Sequence, residues 1–356
     1  MPLDRFGPAG RSHGTARQRF TSRQLRQRRS LLDPRRGLAV LALVGLLGGW
    51  MPAGRETPPA GAVTDHVIVI SIDGLRPDAI ERFGAKRLQR MLREGAWSLE
   101  AQTIYPSKTL PSHTSMLTGV PPEVHGVTWN SDETDVRGVV EVTTVFEAAK
   151  QAGLSTAAFF SKSKFHHLQK PGTLDHTQAP DGWVHLLASQ TVEDVVRYLK
   201  FERPNLLFVH IAEPDYAGHT VGWMSGIYGW AVRRADAAVG EVLAAADRAY
   251  GRGNYTVVVT ADHGGHGRDH GSADPRDMTI PWIAWGKGVR PGQLPPGIRT
   301  MDTAATALWL LGVPIPEGWT GKPVAAAFDD AARRAAETTL TSDGVSGAAP
   351  SAPAGW

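Results

Sequence analysis

Three apolar runs of this chain end in acid. Asp73 closes "HVIVISID", Glu213 closes "NLLFVHIAE" with Asp215 just after it, and Asp262 closes "YTVVVTAD". A single carboxylate in such a place is commonly a helix cap or a turn former. Three of them, two with histidines in company, ask for a chemical explanation. Asp215 and His219 lie four apart in "EPDYAGHTVG", a spacing that turns both side chains the same way on a helical turn. Asp262 and His263 lead "ADHGGHGRDHG", whose glycines let backbone pass close to a ligand, and His266 and His270 add two more imidazoles. Carboxylate oxygen and imidazole nitrogen without sulfur suit zinc and also accommodate manganese or iron. The absence of cysteine excludes thiol catalysis and thiolate metal sites.

A possible nucleophile lies in "TIYPSKTLPSHTSMLTG", Thr103 to Gly119, which reads as a loop entering a helix. A side-chain hydroxyl is a poor nucleophile at neutral pH unless a metal lowers its pKa. At a helix start, backbone N–H groups and the positive end of the helix would also favour an anion.

These residues need a scaffold. The runs His66–Asp73, Ser155–Ser161, Asn205–Glu213, Tyr255–Asp262 and Ile280–Gly286 read as buried strands. Helical spacing marks Asp78–Glu94, Thr144–Gly153, Val192–Phe201 and Ile227–Tyr250 between them. Alternation of this kind predicts an α/β fold, a doubly wound and mostly parallel sheet with helices on both faces. Ligands of such sheets bind beyond the carboxyl ends of the strands, where the acids stand.

The catalytic domain is expected over 63–326, preceded by a leader (1–62) and followed by an alanine-rich tail (327–356) expected to be disordered. Residues 1–36 carry ten arginines against two aspartates, +8 of a total of +3, so the rest of the chain is at −5 and carries no nucleic-acid footprint. "GLAVLALVGLLGGW", Gly37 to Trp50, follows that basic run and reads as the apolar part of an export signal or an anchor, with Arg28-Arg29 loosely twin-arginine-like and a cleavage site near Ala60-Gly61-Ala62. The expected location is therefore outside the cytoplasm: periplasmic, secreted or membrane-anchored.

Taken in order, "VIVISIDGLRPD", "PSKTLPSHTSMLTG", "HGVTWN", "EPDYAGH" and "TADHGGHG" closely resemble the alkaline phosphatase superfamily, in its nucleotide pyrophosphatase/phosphodiesterase branch, from about Val67 to Trp285. The resemblance implies an alkaline-phosphatase-like fold, a small phosphodiester or nucleotide as substrate, two zinc ions and a phosphothreonine intermediate on Thr109. It assigns Asp73, Thr109, Asp262 and His263 to one metal, and Asp215, His219 and a third histidine to the other. Pro275, Asp277 and Met278 precede the last strand in the family's order, which favours His270 over His266 as that third histidine. Asn130 is expected to hold a non-bridging phosphate oxygen. Lys108 and Trp129 are further substrate candidates, each with an ordinary structural alternative, and His113 is expected to make a structural hydrogen bond within its helix. The basic run Lys162, Lys164, His166, His167 and Lys170 reads equally as an anion-facing arm or a solvated loop.

The segment that separates the last ligand from the Asp-His pair in larger animal members is absent, so their substrate preference does not transfer. Alternatives within the superfamily are a phosphomonoesterase or a phosphonate hydrolase. A sulfatase lacks its modification motif here, and a mutase-like transferase lacks room for its cap domain. A surface binding protein without turnover is the alternative outside enzymes.

Overall fold

Val67–Ile72 forms β1, with every residue buried, at the centre of a sheet whose other strands are β2 (Ala96–Gln102), β3 (Thr156–Phe159), β4 (His176–Gln178), β5 (Leu206–Ile211), β6 (Thr256–Thr260), β7 (Thr279–Gly286) and β8 (Gly292–Gln293). The computed structural model describes residues 61–181 and 187–342. The leader falls almost wholly outside them, as does the chain end from 343. The strand order is β4-β3-β5-β1-β6-β7-β2-β8. From β4 to β6 all pairings are parallel, whereas β7 runs antiparallel to both β6 and β2.

Continuous apolar runs become strands here because helices cover both faces and leave no polar side to satisfy. One helical layer joins Lys86–Glu94, Ala188–Tyr198, Glu213–Val221 and Gly226–Tyr250; another joins Thr109–Thr118, Val145–Gln151 and Asp302–Leu310. The single helix expected over Asp78–Glu94 is two, Pro77–Arg82 and Lys86–Glu94, parted at Gly84, whose φ of +66° lies outside helical backbone. Strand β2 was not expected; it alternates buried and half-exposed residues, as a strand near the sheet edge should. The alanine-rich stretch carries a helix, Asp330–Ser342, which docks through buried Ala332 and Ala336. Among the described residues no helix is long and apolar enough to cross a membrane.

The carboxyl ends of β1, β5 and β6 meet at Gly74. Its N–H donates to Asp262 Oδ1 (3.1 Å), and its carbonyl accepts from Trp223 Nε1 and Tyr228 Oη (both 2.9 Å). Its φ is +70°, and a Cβ there would lie 2.9 Å from Asp215 Cα, closer than real contacts allow. Only glycine lets the Asp73 turn approach the Asp215 helix. Gly74→Ala should therefore cost roughly 2 kcal/mol of stability, read as a lower Tm; an unchanged Tm would show that the two turns can separate freely.

Candidate active site

Three imidazoles are fixed by backbone carbonyls in one sense. His263 Nδ1–H donates to Gly264 O (2.8 Å), His270 Nδ1–H to Ser107 O (2.8 Å), and His219 Nδ1–H to Arg268 O (3.0 Å). Each ring is thereby left with its Nε2 lone pair turned inward, the outer-atom arrangement that metal-ligating histidines adopt. The inward atoms face further acceptors. His219 Nε2 and His270 Nε2 are 3.1 Å apart and lie 3.3 and 3.6 Å from Asp215 Oδ1. His263 Nε2 lies 3.3 Å from Asp73 Oδ1, 3.2 Å from Asp262 Oδ2 and 3.4 Å from Thr109 Oγ1. Asp73 Oδ1, Asp215 Oδ1 and Asp262 Oδ2 are buried with no hydrogen-bond partner.

Acceptors that converge without donors need cations between them. The electrostatics agree. Three buried carboxylates meet one ammonium, Lys162, whose Nζ lies 2.6 Å from Asp73 Oδ2 and 2.7 Å from Asp215 Oδ2. At Asp73 burial opposes ionisation, but Lys162, followed by His210 and His263, holds its carboxyl well below the usual range. At Asp215 burial and the charge of Asp73 oppose ionisation, and Lys162 and His219 outweigh them. At Asp262 burial, followed by the charge of Asp73, outweighs the attraction of His263 and Lys162 and pushes the carboxyl well above its usual value. His263, penalised by burial but drawn by Asp262 and Asp73, rises to about 9 and takes a proton where an ion would otherwise bind. The donor set fits two ions of the zinc type: Asp73, Asp262 and His263 for one, and Asp215, His219 and His270 for the other. The ligand atoms of Asp73, Asp262 and His263 lie within 4.8 Å of one another, as do those of Asp215, His263 and His270.

Thr109 opens a helix, Thr109–Thr118, in which every residue is buried. Its polar residues are satisfied locally: Thr114 and Thr118 donate to the carbonyls of Leu110 and Thr114, and Ser112 accepts from Thr103. As expected, His113 makes a helix-internal bond, from Nδ1–H to Thr109 O (2.8 Å), and its Nε2 accepts from Ser71 Oγ (2.8 Å). The helix start offers a phosphate fewer amides than expected. Leu110 N–H is taken by Asn130 Oδ1 (2.9 Å), Pro111 has no N–H, and Thr109 N–H is left without an acceptor among the described residues. Asn130 Oδ1 also accepts from Lys164 Nζ (3.1 Å), so the side-chain NH2 of Asn130 is left to donate.

The structure thus brings Asp73, Thr109, Asp215, His219, Asp262, His263 and His270 together, with Asn130 beside Thr109. His266 stands apart; its Nδ1–H donates to Asp277 Oδ1 (2.7 Å). Lys108 is half-buried and lies along Gly271. Trp129 has one face under the Arg137 guanidinium, 4.3 Å from the ring centroid, so that face is closed to a substrate.

The solvated-loop alternative for residues 162–170 is corrected. Lys162 is buried among the carboxylates, Lys164 meets Asn130, His166 pairs with Asp132, His167 is buried, and Lys170 pairs with Glu147. Lys162 directly follows an apolar strand and so stands at the same sheet end as the acids, a signal the sequence contained. His210 was missed altogether. It accepts from Ser161 N–H at Nδ1 (3.3 Å) and donates from Nε2 to Asp73 Oδ2 (3.0 Å). One histidine in an otherwise apolar strand was its only mark.

The sequence profile described as type I phosphodiesterase / nucleotide pyrophosphatase matches residues 67–271. Bis(5'-adenosyl)-triphosphatase enpp4 of Xenopus laevis is 26% identical over 64% of this chain and 51% of its own length. Human ectonucleotide pyrophosphatase/phosphodiesterase family member 1 is also 26% identical, over 60% of this chain and 24% of its own. This chain therefore spans about half or less of those relatives. Murine ectonucleotide pyrophosphatase/phosphodiesterase 5, solved in complex with AMP, superposes with a TM-score of 0.63 at 16% identity, covering 74% of this chain and 100% of that one. The alkaline phosphatase PafA superposes with a TM-score of 0.60 at 15% identity, over 75% of this chain and 99% of that one. The fold is alkaline-phosphatase-like, and the chain belongs to the type I phosphodiesterase / nucleotide pyrophosphatase family.

Proposed function

We propose that the chain hydrolyses phosphodiester or pyrophosphate bonds of small molecules, nucleotides among them, through a phosphothreonine at Thr109, at a site outside the cytoplasm. The observation that carries this reading is the set of donor-free acceptors packed around the Thr109 hydroxyl at the head of a buried helix. The AMP complex of the murine structure supports a nucleotide substrate. Two zinc-type ions would acidify the Thr109 hydroxyl and offset charge on the phosphoryl group. Thr109 Oγ1 attacks phosphorus and gives up its proton to the departing alcohol or phosphate, which leaves from the opposite side. The phosphoryl group stays on Thr109 with the substrate's remaining ester, until water releases it as a phosphate monoester and restores the hydroxyl. The NH2 of Asn130 and the free Thr109 N–H donate to the non-bridging oxygens of the bound phosphate group. His113 fixes the first turn of the helix through the Thr109 carbonyl.

Thr109→Ala should lower kcat by at least about 1000-fold with Tm unchanged, and wild-type protein acid-quenched during turnover should carry on Thr109 the phosphoryl group together with the ester the substrate retains. Turnover retained by the variant would remove Thr109 from this role.

A second reading, phosphomonoester hydrolysis, is favoured by Lys164. Burial, followed by repulsion from Lys162, lowers its ammonium to about 8, leaving a cation beside Asn130 that a doubly charged phosphate would use. The diester remains the first reading because Lys162 is already neutralised by Asp73 and Asp215. We expect a higher kcat/KM for an aryl diester than for the monoester of the same alcohol. Lys164→Ala should cost the monoester roughly tenfold more than the diester. A monoester preference that collapses in Lys164→Ala would establish the second reading instead.

A further inference from the structure

Asn130 sits in a segment that has only one short helix of its own, Thr134–Arg137, yet a single imidazole holds it at three points. His167, 1% exposed, lies in the 3-10 turn Ser163–Leu168 that also carries Lys164. Its Nε2 accepts from Glu133 N–H (3.0 Å) and from Trp129 Nε1–H (3.3 Å), and its Nδ1–H donates to Gly138 O (2.6 Å). Its own carbonyl accepts from Val140 N–H (2.8 Å). The two donors at Nε2 require the tautomer with hydrogen on Nδ1, which is the one that Gly138 accepts from. Trp129 is clamped in turn, edge-on to the imidazole with ring centroids 5.4 Å apart and under Arg137 on its other side, and Arg137 pairs with Glu133. Asn130 is the next residue after Trp129 and two residues before the segment's second partner to this turn, Asp132, which pairs with His166 (3.0 Å).

We propose that His167 is the positioning residue that sets Asn130 at its working distance from Thr109, by tying residues 129–140 to the turn that bears Lys164. This deepens the reading in which Asn130 meets a phosphate oxygen and rests on it. The imidazole touches neither substrate nor metal ligand; it acts through Trp129 and Glu133, which flank Asn130. Removing it leaves two N–H donors and one carbonyl without partners and frees the segment to move away from the Thr109 helix, where Asn130 Oδ1 bonds Leu110 N–H.

The two ideas separate when Asn130→Ala, His167→Ala, His167→Gln and the double variant Asn130→Ala/His167→Ala are compared in the metal-loaded enzyme on one diester, with Tm measured for each. Asn130 binds the phosphate before and during reaction, so its loss raises KM more than it lowers kcat. We expect His167→Ala to raise KM roughly tenfold with kcat within about threefold. His167→Gln, whose amide oxygen can accept in place of Nε2, should recover most of that, and His167→Ala should add little on the Asn130→Ala background. If Asn130→Ala raises KM but His167→Ala and His167→Gln leave it unchanged, or if both His167 variants fail to fold, His167 is a structural residue only and the inference falls alone. If Asn130→Ala leaves KM unchanged, the reading of Asn130 falls and takes the inference with it.

Discussion

The structure is organised around an electrostatic debt at the carboxyl ends of three parallel strands. Asp73, Asp215 and Asp262 are buried within one pocket, and one oxygen of each has no donor. The three histidines that could supply donors are turned the other way, their N–H groups spent on the carbonyls of Gly264, Ser107 and Arg268. Those three carbonyl bonds fix the rings with their Nε2 atoms inward. Lys162 offsets part of the charge by bridging Asp73 and Asp215. Asp262 lacks a lysine bridge of this kind, and burial followed by the charge of Asp73 raises its pKa.

Everything near the pocket holds that arrangement against its own repulsion. Parallel strands buried on both faces bring β1, β5 and β6 to a common end without a polar side to distort them. Gly74 lets the β1 turn close on the Asp215 helix while Trp223 and Tyr228 pin its carbonyl. On the opposite side, the fully buried Thr109–Thr118 helix presents one hydroxyl with little freedom to move, because Thr109 is anchored through its own carbonyl to His113 and through its neighbour's amide to Asn130. The strand-end histidine His210 orients Asp73 from behind, so that carboxylate has one oxygen held and one oxygen free.

Much of this was legible in the sequence, for physical reasons. Acids at the ends of apolar strands and histidines at fixed offsets need no tertiary information to be recognised, and Asp73, Thr109, Asp215, His219, Asp262, His263 and His270 do come together. His270 stands with Asp215 and His219 while His266 pairs with Asp277, a placement in keeping with the Pro275–Met278 segment that follows His270 in the sequence. Side-chain direction was less accessible. Beyond the place of Lys162 just after an apolar strand, nothing in this run of lysines and histidines tells which side chain turns toward which partner, and Lys162, Lys164 and His167 each took a different one. Helix and strand boundaries were lost where short polar segments carry weak periodicity, as at β2, β4 and the break at Gly84. The alanine-rich stretch formed a helix because small side chains at Ala332 and Ala336 let it lie close on the core.

The central claim is that this pocket is built for cations. Calorimetric titration of chelator-stripped protein with zinc tests it most directly. The account predicts saturation at about two ions per chain, with protons released as the ions displace them from His263 and Asp262, and therefore tighter apparent binding as pH rises toward the raised His263 value of about 9. Absence of binding, or binding at fewer than two ions with no proton release, would contradict it.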